Sequence, residues 1–219
     1  MKEELNNSLY EQYIKSPIKY TEDGLMLSNE VDIHIMSTHE DLIMRESARV
    51  ICSSGGKILN VGFGMGIIDG YIRAQEPDMH VIIEAHPDVV KHAIKLGFDQ
   101  TAIIYEGDWR NVISEFIESD LKFDGIYFDT IILDWERNEW LDFAREVDKI
   151  LAPGGIFAYF NHTAAAMSKG LIQTLMNYGY QLNVDIIPLA DIHNSVDREF
   201  DVKLLEQEDY KLLWYIKKR

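Results

Sequence analysis

The sequence predicts an α/β fold, a doubly wound and mostly parallel seven-stranded sheet with helices on both faces and an antiparallel edge pair. Three observations carry this. Short, nearly all-apolar runs (KILNV, VIIE, TAIIYE, GIYFD, IFAYF) alternate with segments of helical periodicity, and strands apolar on both sides belong in a parallel sheet covered on both faces. A glycine-rich stretch, GFGMG, directly follows the first of these runs. The last two runs, QLNVDIIPLA and YKLLWYIKK, have no good helix between them and so pair antiparallel at one edge.

Taken in order, residues 1–34 lack clear periodicity and read as an arm or lid before a domain spanning 35–219. Ser37 to Ser54 carries apolar residues at Ile43, Val50 and Ile51 and predicts a helix. Strands follow at 57–61, 81–84, 101–106, 125–129 and 156–160, the last after an APGG turn. Helices are expected at 67–75, 87–97, about 111–118, about 138–151 and about 164–178. The helix at 87–97 has Pro at its start and Gly at its end, the usual asymmetry. In such a sheet, ligands sit at the carboxyl ends of the strands, which is where GFGMG falls.

At 219 residues, with 47% hydrophobic and 26% charged side chains, one large domain is expected. Cys52 is the single cysteine, which excludes an intrachain disulfide and suits a reducing cytoplasm. The polar start, MKEELNNSLYEQY, has no apolar core of a secretory signal, and no run approaches the length of a membrane span. The net charge of −16 repels nucleic acid and anionic membranes and favours a cationic partner; it also simply favours solubility. The seven histidines show no metal-ligand spacing.

The loop discriminates between nucleotide-like ligands. A dinucleotide fingerprint needs G-x-G-x-x-G, and Ile67 stands where its third glycine belongs. Gly62, Gly64 and Gly66 make G-x-G-x-G, the pattern of S-adenosylmethionine enzymes, although a tight turn alone would also produce it. Glu84, ending VIIE, suits the two ribose hydroxyls of either cofactor class. Asp108 and Trp109, in YEGDW, suit an adenine amino group and an adenine ring, or equally the capping of a loop.

With those residues in place, NVGFGMGIID, VIIEAHPDVV and FDGIYFDT resemble the guanidino-group N-methyltransferases, from about Met36 to Thr163. That family includes guanidinoacetate N-methyltransferase, fungal-type protein arginine δ-N-methyltransferases and bacterial enzymes acting on free arginine. The resemblance implies S-adenosyl-L-methionine as cofactor and a class I methyltransferase (Rossmann-like) sheet, in agreement with the element order. It assigns Gly62, Gly64, Met65 and Met44 to the cofactor pocket and Glu84 to the ribose. It makes Asp129 the catalytic carboxylate and Glu40 a second carboxylate on the guanidino group, and it gives Asn161, His162 and Thr163 the acceptor's own carboxylate. Two departures stand out: His39 where the family usually has tryptophan, and Asn60 where an acidic residue usually precedes GFG.

Two carboxylates suit this chemistry. A guanidinium is planar, cationic and almost never deprotonated in water, so a bidentate grip that also receives a proton is what a methyl acceptor needs. Glu40 has a purely structural alternative, because Ser37-x-x-Glu40 is a capping box. The expected partner is a small guanidino substrate, arginine or a close relative, and a homodimer is compatible with the sequence. Guanidinoacetate, a protein arginine or a non-guanidino acceptor are the alternatives within the class. A nicotinamide-dependent oxidoreductase and a cofactor-binding protein without catalysis are the rivals outside it. His34, His39, Tyr10, Tyr13 and Tyr20 are further candidates to line or close the site, and the acidic DWERNEW reads as a capped helix start or a second acidic wall.

Overall fold

The computed structural model describes residues 10–28, 33–131, 139–161, 165–188 and 209–218. Among these, ten strands form two sheets. The larger contains β4 (Lys57–Val61), β5 (Met79–Glu84), β6 (Ile103–Glu106), β7 (Phe123–Phe128), β8 (Leu151–Tyr159), β9 (Gln181–Pro188) and β10 (Asp209–Ile216). Their spatial order is β6-β5-β4-β7-β8-β10-β9. The first five run parallel, while β10 is antiparallel to both β8 and β9. The antiparallel pair thus exists as predicted, with β10 inserted between β8 and the edge strand β9.

The order reverses at β4, whose neighbours are β5 on one side and β7 on the other. That is the switch point, and the glycine loop leaves β4 there. Helices α1 (Asp41–Ile51), α2 (Ile67–Ala74) and α3 (Pro87–Lys95) contribute to one core, with Ile43, Ile51, Ile72 and Val89. Helices α4 (Trp109–Glu118), α5 (Glu139–Ile150) and α6 (Ala165–Asn177) contribute to the other, with Phe116, Phe143 and Leu175. The central strand β4 splits its side chains between them, Ile58 to the first and Leu59 and Val61 to the second. The alternation of a strand's two faces explains this division.

The stretch expected to be an arm has its own structure. β1 (Ile18–Tyr20), β2 (Gly24–Leu27) and β3 (Ile33–Ser37) form a three-stranded antiparallel sheet, and β3 runs across the boundary expected between residues 34 and 35. Leu25 and Leu27 on β2 are buried. The helix expected from Ser37 starts instead as a single 3-10 turn, Thr38–Glu40, and becomes α-helical at Asp41. The APGG turn is absorbed into β8, where pairing jumps from Phe123↔Leu151 to Gly125↔Ile156. Gly154 N–H and Gly155 C=O are satisfied by Lys217, so the sheet holds the irregularity without losing these bonds. No helix among the described residues is long and apolar enough to cross a membrane.

Candidate active site

The glycine loop opens on one side onto a cavity of about 590 Å³ at the carboxyl ends of β4, β5, β6 and β7. This lies within the range of small-ligand sites. Val61, Gly62, Phe63 and Gly64 come from the end of β4 and the loop, Glu84 and Ala85 from β5, Gly107 to Arg110 from the β6 end, and Asp129 to Ile131 from β7. The small sheet closes the far side with Leu25, Leu27, His34, Met36 and Ser37, the 3-10 turn after it adds Glu40, and Tyr10 and Tyr13 cover it from the helical turn before β1.

Gly62 has φ +96°, and a Cβ there would lie 1.8 Å from the Asp129 carbonyl oxygen, so only glycine lets the loop pass β7. Gly107 is the complementary case: with φ +149° its missing Cβ would meet nothing within 4 Å, leaving open wall beside Asp108. Tyr20 Oη donates to the Gly64 carbonyl at 3.2 Å and its ring stacks on His92 at 3.8 Å. The arm sheet is therefore anchored to the loop it covers.

Glu84 is 5% exposed. Its Oε2 accepts from Phe63 N–H at 2.8 Å and its Oε1 from His86 N–H at 2.7 Å. Burial pushes its pKa up, against these backbone bonds, which favour the carboxylate. A carboxylate has about four acceptor sites, so capacity remains on the cavity side for hydroxyl donors such as those of a ribose. A turn of open backbone beside such a carboxylate is what a nucleoside cofactor requires, and the residues present fit one.

Asp129 lies at the end of β7, half-buried at the cavity wall, and burial pushes its carboxyl up to about 7. Glu40 stands across the cavity at the start of α1. Both charges bear on the same two buried phenols, Tyr127 and Tyr210, whose pKa values are raised first by burial and then by Asp129 and Glu40 among others. The two carboxylates, 89 residues apart in the sequence, thus face one space. Glu40 also completes the capping box: its Oε1 accepts from Ser37 N–H at 2.9 Å, and Ser37 Oγ accepts from His39 N–H at 3.2 Å.

Other expected residues are placed differently. Met44 is fully buried in the core and Met65 packs against it; neither is among the cavity-lining residues. One helical turn after Glu40 carries Met44 to the inward face of α1, beside Ile43 and Ala48. Asp108 and Trp109 do line the cavity, but their polar and ring contacts are internal. Asp108 is the N-cap of α4, accepting from Arg110 N–H at 2.8 Å, and both its carboxylate oxygens pair with Arg110 Nη1 at 3.1 Å. The Trp109 ring packs perpendicular to Phe128 and Phe143, with the Arg110 guanidinium 4.4 Å from its centroid. Asn161 N–H donates to Tyr210 Oη at 2.7 Å, which commits that amide elsewhere than to an acceptor's carboxylate. His162 and Thr163, and most of DWERNEW, lie outside the described residues. His34 lines the cavity; His39 does not.

Sequence reasoning missed Arg110, Met36 and Gly107. For Gly107 a signal existed, a glycine directly after a predicted strand. For Met36 there was none, because its place at the cavity follows from how β3 folds back over the loop.

The family model described as guanidinoacetate N-methyltransferase matches residues 12–196, wider than the 36–163 stretch that carried the resemblance. Among curated proteins, the chain is 33% identical over 190 residues to protein arginine N-methyltransferase 2 of Yarrowia lipolytica, covering 80% of this chain and 40% of that one. It is 38% identical over 160 residues to the protein of the same name in Candida glabrata, covering 70% and 38%. The chain thus spans about two-fifths of the length of these relatives. Solved structures share the fold at low identity. A putative SAM-dependent methyltransferase from Streptococcus mutans has TM-score 0.63 at 11% identity, covering 88% of this chain and 52% of that one. Aeropyrum pernix fibrillarin, solved with S-adenosyl-L-methionine, has TM-score 0.56 at 14% identity, covering 90% and 84%. The fold is that of the class I methyltransferases, and the chain belongs to the guanidinoacetate N-methyltransferase family.

Proposed function

We propose that the protein transfers a methyl group from S-adenosyl-L-methionine to a guanidino nitrogen of arginine or a close small-molecule relative. One observation carries the reading: Glu40 and Asp129 line the same cavity as Gly62, Gly64 and Glu84. A pair of carboxylates suits the planar cation, and the open loop beside Glu84 suits the cofactor.

S-adenosyl-L-methionine supplies an electrophilic methyl group on a sulfonium. Gly62 lets the loop pass β7 and Gly64 lets Met36 pack against it, so the loop backbone would lie along the bound cofactor and Glu84 would take its ribose hydroxyls. The rest is done by the acceptor side. Ionised Asp129 and Glu40 grip the guanidinium fork and turn one nitrogen toward the methyl group. With the cofactor bound, its S–CH₃ bond would break as the C–N bond forms, leaving S-adenosylhomocysteine, and that nitrogen would shed its proton to Asp129, whose raised pKa makes it a better base than an exposed aspartate. Tyr10 and Tyr13, from the arm, exclude water above the site.

A second acceptor class has support in the relatives' name: a protein arginine. The deciding experiment is mass spectrometry of the protein incubated with S-adenosyl-L-methionine and, separately, arginine, guanidinoacetate, agmatine and an arginine-containing peptide. The expected result is one methylated small guanidine, with turnover reduced about 10²–10⁴-fold in Asp129→Asn. Methylation of the peptide alone would move the reading to protein substrates. No methylated product from any of the four would overturn the guanidino assignment.

A further inference from the structure

Behind the glycine loop, and away from the cavity, lies a buried polar chain that the chemistry above does not use. Asn60 and Asp69 are 0% exposed and His80 is 3% exposed. His80 Nε2, on β5, is 2.9 Å from Asp69 Oδ1, in the first turn of α2. Asp69 Oδ2 accepts from Asn60 Nδ2 at 2.9 Å, and the same Nδ2 donates to the Gly62 carbonyl at 2.8 Å. Asn60 Nδ2 has two hydrogens, and both are used. Flipping the amide would bring its oxygen against a carboxylate and a carbonyl, so Asp69 dictates that the NH₂ faces Gly62. Burial pushes the Asp69 pKa up while His80 and Asn60 pull it down, as for a carboxylate that depends on these two donors.

Gly62 C=O and Phe63 N–H belong to one peptide unit. Asn60 holds its oxygen, and Glu84, from the cavity side, holds its N–H at 2.8 Å. The peptide is clamped at both polar atoms at the point where the loop passes Asp129. A buried charged group is weak support for stability as such, since apolar packing would serve equally well. What an apolar residue at 60 cannot do is orient this peptide.

We propose that Asp69 and His80 are positioning residues for the cofactor loop, acting through Asn60 on the Gly62–Phe63 peptide. This rests on the cofactor reading above. The test is an exchange of partners, Asn60→Asp with Asp69→Asn in one chain. After the exchange, the amide carried by α2 donates to the carboxylate carried by β4, and the amide oxygen accepts from His80. The bonds from His80 to residue 69 and from residue 69 to residue 60 survive, while the Gly62 carbonyl loses its donor and faces a carboxylate oxygen instead. The variant should still unfold cooperatively but melt below wild type, because a buried carboxylate oxygen now faces a carbonyl oxygen. It should bind S-adenosylhomocysteine at least about five-fold more weakly by calorimetry, the lower end being one lost hydrogen bond without the added repulsion. Without ligand, its 62–66 segment should exchange amide hydrogens faster.

His80→Leu and His80→Gln give a second arm should the exchange variant not fold. Leucine deprives Asp69 of a donor and should reproduce the weaker binding and faster exchange, although it touches neither loop nor ligand. Glutamine, which can donate to Asp69, should restore both. Wild-type affinity and loop exchange in the partner-exchange variant, or equal behaviour of the leucine and glutamine variants, would overturn the proposal. A wild-type protein that fails to bind S-adenosylhomocysteine would instead sink the cofactor reading, and the hydrogen-exchange measurement would still decide whether the clamp holds the loop.

Discussion

Asp129 shows how position alone changes a residue's chemistry. An exposed aspartate titrates at 3.8, whereas burial pushes this one to about 7. Below that pH the free protein holds a neutral carboxyl that neither pairs with a guanidinium nor takes its proton. The expected outcome is a kcat/KM for the acceptor that falls about ten-fold per pH unit below about 7, checked by a pH profile with Asp129→Asn as background. A flat profile from about pH 5.5 to 8 would show that Asp129 does not titrate in that range. The sign for stability is the opposite. Because the folded value lies above the unfolded one, Asp129 is tolerated without penalty while protonated in both states, below 3.8, and destabilises the fold progressively as pH rises toward about 7. The site therefore costs on the order of 2–4 kcal/mol at alkaline pH, an upper range because the side chain partly meets the cavity. That the chain has an aspartate after GIYF is legible in the sequence; its pKa is not, because desolvation depends on atoms brought from β4, α1 and the arm.

At the scale of elements, Glu40 carries two roles at one junction. Its Oε1 closes the capping box with Ser37 N–H, while the residue also lines the cavity. The two readings of S-x-x-E that the sequence left open are geometrically compatible. Glu40→Gln separates them: a glutamine oxygen can still accept from Ser37 N–H, so the thermal melt should stay near wild type. Loss of the charge should raise acceptor KM about 10- to 100-fold, the range for a hydrogen bond to a charged group. A lowered melting temperature with unchanged KM would leave Glu40 only its cap. Strands and helices of the main sheet were legible to within a few residues because apolar runs and 3.6-residue periodicity record burial directly. The APGG bulge and the small sheet at 18–37 were not. A bulge is stabilised by a distant partner, here Lys217, and short strands in a polar stretch gain their pairing only after folding back on the loop.

For the whole molecule, the net charge of −16 predicts a long-range attraction for cationic acceptors. Binding of doubly cationic agmatine, measured by competition, should weaken more steeply between low salt and about 0.3 M than binding of net-neutral guanidinoacetate. Equal salt slopes would mean that the surface charge serves solubility alone. The sequence by itself determined the class of sheet, its switch point, the loop that marks the ligand end and the family to which the chain belongs, because each is written in local periodicity or contiguous motifs. Only the tertiary structure decided that Glu40 and Asp129 share a cavity, that Met44 turns into the core and that Asp108 is committed to Arg110. It alone also showed Asn60, Asp69 and His80 clamping one peptide from behind. These facts concern groups from different strands and helices, and hydrogen bonds and desolvation act over a few ångströms of space whatever the distance along the chain.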